Sequence, residues 1–145
     1  MRARLVSDKD GERTFVLVFA EDDEVVGELK RFARENNLVG SQYTAIGAFR
    51  EVLLGWFDPE ARKYEEIPVP EQVEVLTLNG DICAGEKGPS VHAHAVLGRR
   101  DGSAVGGHLL AGRVRPTLEM VLTELPVNLQ KRHDPKSGLV LMYLP

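Results

Sequence analysis

Residues Ser90 to Leu110 read SVHAHAVLGRRDGSAVGGHLL, two apolar arms around a polar Arg-Arg-Asp-Gly-Ser bend. Alternation in each arm and the Asp-Gly pair at the bend mark an antiparallel β-hairpin. The hairpin carries three of the chain's four histidines, His92, His94 and His108. Side chains two apart on a strand share a face, so His92 and His94 point the same way, their Cβ atoms about 6.6 Å apart. Imidazoles converge from that spacing onto one ion with Zn–N bonds of about 2.1 Å. Small Ala93 and Ala95 leave the opposite face uncrowded.

The position of His108 depends on the turn. A two-residue turn at Asp101-Gly102 sets Arg100 against Ser103 and Ala95 against His108, which puts His108 on the far face. One extra turn residue, or one bulge, moves it beside His94. Gly106-Gly107 is where a bulge would cost least. A three-histidine site therefore requires an irregularity in this hairpin. The alternative is that the histidines are the polar positions of a half-exposed strand. With no cysteine beside them, three imidazoles suit zinc or another divalent transition metal with an open, water-filled position. His133, within KRHDPK, reads as a solvated loop residue rather than a fourth ligand.

An open zinc site can activate water, provided that a base or anion stabiliser stands near it. Glu74 and Glu119 lie on strand candidates and are the expected carboxylates for orienting the imidazoles, although either also reads as an exposed strand residue. Arg113 and Arg115 are candidates for holding a small anion at a subunit boundary. No Ser-His-Asp or Cys-His pattern stands out. The glycine-rich run from Gly102 to Gly107 lacks the Lys-Ser/Thr ending of a phosphate-binding loop.

Outward from the hairpin, Thr14–Ala20 (TFVLVFA) reads as a buried strand and Glu21–Glu24 as a source of N-caps. Val25, Leu29, Phe32 and Ala33 follow at helical spacing and predict an amphipathic helix over 23–36. After it, strand-like runs occupy 42–49, 51–57, 63–67, 73–83, 117–124 and 139–144, while 127–137 is polar and loop-like. Glycines at 47, 55, 80, 106 and 107 sit in or beside these runs, where they mark bulges or close backbone approach. The expectation is one α+β domain over residues 1–145, with a mainly antiparallel sheet of about seven strands and one main helix.

The length of 145 residues suits a single core. Eighteen basic against 22 acidic residues give a formal charge of −4, without the basic excess of a dedicated nucleic-acid surface. The lone Cys83 reads as a buried free thiol in a reducing compartment. The N-terminal MRARLVSDKDGER has no apolar signal core, and no apolar run is long enough to span a bilayer, so a cytoplasmic protein without membrane contact is expected.

Ile46-Gly47-Ala48-Phe49, Leu54-Gly55-Trp56-Phe57 and Glu74 to Ile82 (EVLTLNGDI) precede His92-Ala93-His94, Asp101-Gly102, Gly106-Gly107-His108-Leu109 and Thr117-Leu118-Glu119. In this order the segments resemble the plant-and-prokaryote-conserved (PPC) domain, from about Thr14 to the C-terminus. The resemblance implies a free-standing prokaryotic domain that assembles as a homotrimer, with a metal site at His92, His94 and His108. Together with the acidic charge and the lack of a catalytic constellation beyond the histidines, the resemblance favours a binding or regulatory module with a protein or small-ligand partner. A metal-dependent hydrolase or lyase acting on a small anion is the alternative reading. A DNA-associated regulator is a further one, because the plant relatives carry an Arg-Gly-Arg-Pro hook that enters the minor groove. The nearest segment here, Gly112-Arg113-Val114-Arg115-Pro116, has valine where the hook has glycine, so direct DNA binding by this chain alone is not expected.

Overall fold

The structure is a computed structural model that describes residues 1–144. Among the described residues, nine strands form one sheet, and a single helix of 11 residues packs against it. The strands are β1 (Arg2–Lys9), β2 (Glu12–Phe19), β3 (Gly40–Asp58), β4 (Lys63–Val69), β5 (Val73–Gly85), β6 (Gly88–Gly98), β7 (Ala104–Glu124), β8 (Gln130–His133) and β9 (Val140–Tyr143). The helix α1 spans Val25–Glu35. Among the described residues, no helix is long and apolar enough to cross a membrane.

The expectation of about seven strands is therefore an undercount, and the balance leans further toward sheet. The runs 42–49 and 51–57 are one continuous strand, β3, and the second hairpin arm continues through 117–124 as β7. Two strands were not anticipated. All eight residues of β1 are exposed, so it has no buried face to generate an alternating pattern. β8 lies in the segment read as loop-like, where only Lys131 is buried. His133 accordingly ends a strand, opposite Val140, and is exposed.

The helix follows its pattern closely. Glu24 caps it, its side chain accepting from the Val26 amide at 3.1 Å and the Gly27 amide at 2.7 Å. Val25, Leu29, Phe32 and Ala33 are the buried stripe, and Phe32 meets Phe15 of β2 edge-on at 5.2 Å. Burial of an aliphatic or aromatic side chain of this size contributes about 1.5–3 kcal/mol, so the stripe rather than intrinsic propensity holds the helix in place. On the outer face Arg31 bridges Glu28 and Glu35.

What positions the histidines is the closure of four strands on one another. β3 pairs with β5, β5 with β6, β6 with the first part of β7, and β7 with β3, all antiparallel. Inside this ring lie Tyr43, Ala45, Leu78, Ile82, Ala93, Ala95, Leu97 and Leu109, each at most 4% exposed. Residues of opposite parity point outward, which carries the two histidines of β6 to the outer face.

Candidate metal centre

The hairpin between β6 and β7 takes the irregular option. Gly98 pairs with Ala104 and His94 with His108. The Arg99 amide donates to Ser103 O at 2.8 Å, leaving Arg100, Asp101 and Gly102 as a three-residue loop. Gly102 has φ +83°, the left-handed conformation that such a loop needs at its third residue. Asp101 braces the loop by accepting from the Ser103 amide at 2.9 Å and its hydroxyl at 2.6 Å. The extra residue lies in the turn, and the β6–β7 register runs without a shift through Gly106-Gly107.

One ring nitrogen from each of His92, His94 and His108 lies within 4.8 Å of the other two. Ring centroids are 5.0–5.4 Å apart: His92 stands edge-on to His94, and His108 lies nearly parallel to His92. Nδ1 of His108 is buried without a hydrogen-bond partner. A buried imidazole with an unsatisfied nitrogen, in a group of three whose ring nitrogens converge, is a donor set that fits a divalent transition metal. Burial, reinforced by any charge on His92 and His94, pushes His108 down to about 4. His94 is lowered by burial and by its neighbour His92. Both effects favour the neutral imidazole that ligates metal.

Aromatic rings hold the cluster from two sides. Tyr64 of β4 stacks on His108 at 4.5 Å and 23°, lying over the bare backbone of Gly55, the residue paired with His108. Behind β6, the hydroxyl of Tyr43 donates to His92 O at 2.8 Å. It reaches that oxygen across Gly80, where a Cβ would come within 2.1 Å of His92 O and 2.3 Å of Tyr43 Oη.

The carboxylate beside the cluster is Asp81, which pairs with His92 across β5 and β6. Its Oδ2 lies 3.3 Å from His92 Nδ1, while its Oδ1 contacts Lys131 Nζ and accepts from Cys83 Sγ at 3.4 Å. Burial opposes ionisation of Asp81, yet the hydrogen bonds from His92 and Lys131 and the lysine's charge outweigh it and hold the carboxyl at about 2. Glu74 and Glu119, the carboxylates expected from sequence, lie elsewhere. Glu74 pairs with Gly98 and Ala48, Glu119 with Val18 and Ile46, and both are exposed. Asp81 was legible in principle: Gly85 pairs with Gly88 around a two-residue turn, and counting back from that turn sets Asp81 opposite His92. Lys131 and Tyr64 carried no local signal.

The arginines are committed to other contacts. Arg113 donates to Asp22 O at 3.2 Å and lies 3.6 Å from Glu51, in a groove that it shares with Glu24. Arg115 donates to Gln72 at 2.6 Å. Val114 between them is fully buried, so the hook-like segment is locked into β7.

A model of the Plants and Prokaryotes Conserved (PCC) domain matches residues 6–126. Among solved structures, a plant- and prokaryote-conserved protein of Pyrococcus horikoshii is 28% identical over 92% of each chain, with a TM-score of 0.86. A metal-containing protein of Archaeoglobus fulgidus is 26% identical over 99% of each chain, with a TM-score of 0.85. A provisionally assigned DNA-binding protein of Ralstonia eutropha is 26% identical over 90% of this chain and 91% of its own, with a TM-score of 0.85. Comparison with functionally curated proteins finds no match.

Proposed function

The chain belongs to the Plants and Prokaryotes Conserved domain family, and from that premise we propose that it is a binding and regulatory module built on a divalent-metal centre at His92, His94 and His108. Two observations carry this reading: one ring nitrogen from each of the three histidines lies within 4.8 Å of the other two, and His108 Nδ1 is buried without a partner. Zinc is the ion best suited to three neutral imidazoles. When bound, it supplies a Lewis acid with a free position for a donor atom of a small ligand. The metal-containing relative from Archaeoglobus fulgidus supports the same reading.

A homotrimer is part of the proposal. Ile46, Val96 and Val121 are exposed on the same outer face as His94, linked to it by the cross-strand row Val121, Thr44, Asn79, His94. Apolar side chains on an outer sheet face favour cover by another subunit. Catalysis on a small anion ranks second, because Lys131 and His92 hold the carboxyl of Asp81 well below the usual range, which leaves the carboxylate beside the cluster a weak base. Direct DNA contact ranks last, since Arg113 and Arg115 are tied to Glu51, Asp22 and Gln72.

Metal content by plasma mass spectrometry, with light scattering on the same untagged sample, tests the proposal. The expected result is one metal per chain, lost in His92→Ala/His94→Ala, and a particle of three times 16.0 kDa. A metal-free protein that also refuses added zinc would overturn the centre, and a monomer would overturn the assembly. A low-salt electrophoretic shift abolished by Arg113→Ala/Arg115→Ala would reinstate DNA.

A further inference from the structure

We propose that Lys131 is a positioning residue for the histidine cluster, acting through Asp81 to set the orientation and tautomer of His92. The inference rests on the metal-centre reading for its purpose, but its geometry is independent of any ion. Lys131 lies on β8, beyond the 6–126 span that matches the family model, in a strand joined to β5 by one parallel bridge, Ala84 to Gln130. Its side chain is only 5% exposed and runs inward to Asp81.

A buried ammonium needs a close counter-charge, and Asp81 supplies it. The contact divides the work of the carboxylate. Oδ1 is occupied by Lys131 and by the Cys83 thiol at 3.4 Å, while Oδ2 is left facing His92 Nδ1 at 3.3 Å. With Nδ1 carrying the proton toward Oδ2, the lone pair of His92 belongs to Nε2, on the far side of the ring. A histidine ligand whose other nitrogen donates to a carboxylate has its tautomer and ring angle fixed before metal arrives. Removal of Lys131 leaves only the weak Cys83 thiol contact on Oδ1, so Asp81 is no longer held in one rotamer and His92 loses the fixed acceptor that distinguishes its two nitrogens.

Long-range 15N–1H spectra of the histidine rings at mildly alkaline pH, on metal-free full-length protein, test this directly. Wild type is expected to show His92 protonated at Nδ1. Lys131→Met is expected to show a mixture with the Nε2-protonated form, and Lys131→Arg to restore the wild-type pattern. A purely structural role would lower the melting temperature and leave the tautomer alone. An Nδ1-protonated His92 in a folded Lys131→Met variant therefore overturns the inference. If that variant does not fold, Lys131→Gln, one atom shorter and uncharged, takes its place with the same expected and refuting spectra. In parallel, zinc competition against a chromophoric chelator is expected to show affinity lowered about tenfold in the variant, at the low end of what the loss of such outer-shell partners costs. A wild type that binds no zinc would refute the metal centre while leaving the tautomer result to decide this proposal.

Discussion

Gly80→Ala is the most informative single substitution, because three close contacts meet at one missing Cβ. An alanine there would lie 2.1 Å from His92 O, 2.3 Å from Tyr43 Oη and 2.4 Å from Tyr43 Cζ. None of these atoms yields easily. His92 O belongs to the β6 backbone, and Tyr43 is 4% exposed, packed inside the ring of strands. Relief requires the Tyr43 ring and the β6 chain to separate, which breaks the 2.8 Å hydrogen bond to His92 O. Overpacking a core costs about 1–3 kcal/mol and loss of a buried hydrogen bond about 0.5–1.5, so the sum is about 2–4 kcal/mol. For a domain of this size that is a fall in melting temperature on the order of 10 °C. Calorimetry of metal-free Gly80→Ala beside Tyr43→Phe is the assay. Tyr43→Phe loses only the hydrogen bond and is expected to cost about 1 kcal/mol. Zinc affinity is expected to fall in Gly80→Ala as well, since the displaced carbonyl belongs to a cluster residue. A Gly80→Ala protein no less stable than Tyr43→Phe would refute the close-approach reasoning.

Three further outcomes follow from charge and burial. Glu124, 4% exposed, accepts from the Val39 amide at 2.9 Å, the Gly40 amide at 3.3 Å and the Ser41 hydroxyl, so Glu124→Ala is expected to cost about 2–3 kcal/mol in urea unfolding. Burial, with Asp81 adding to it, pushes the Cys83 thiol up to about 12. Folded protein at pH 8 is therefore expected to react with a disulfide reagent far more slowly than unfolded protein. His108 has a folded pKa of about 4 against 6.5 for the free side chain, so between those values the unfolded state binds more protons. The contribution of His108 to metal-free stability is thus intact above pH 6.5 and falls as the pH drops toward 4. His108→Asn is expected to flatten that part of the stability profile, and an unchanged slope would contradict the burial assigned to it.

Much of the site was legible because strand and helix periods are local. The two-residue spacing of His92 and His94 fixes a shared face in any extended chain. The spacing of Val25, Leu29 and Phe32 predicts α1 to within two residues at its start and one at its end. β1 carries no such signal because no residue in it is buried, so nothing alternates. Glu74 and Glu119 are as plausible as Asp81 until the Gly85–Gly88 turn is fixed, because only counting back from that turn sets the register of β5 on β6.

By itself, then, the amino-acid sequence determined the antiparallel class, the helix, the pairing of His92 with His94 and the family. Tertiary structure decided the rest, for reasons of register and long-range contact. A loop of three residues rather than two places His108 beside His94, because a one-residue slip turns a strand side chain to the opposite face. The register of β5 on β6 selects Asp81 as the carboxylate at His92. The docking of β8 on β5 delivers Lys131 to Asp81 across 50 residues of chain, a contact set by burial of a charge pair rather than by any local preference.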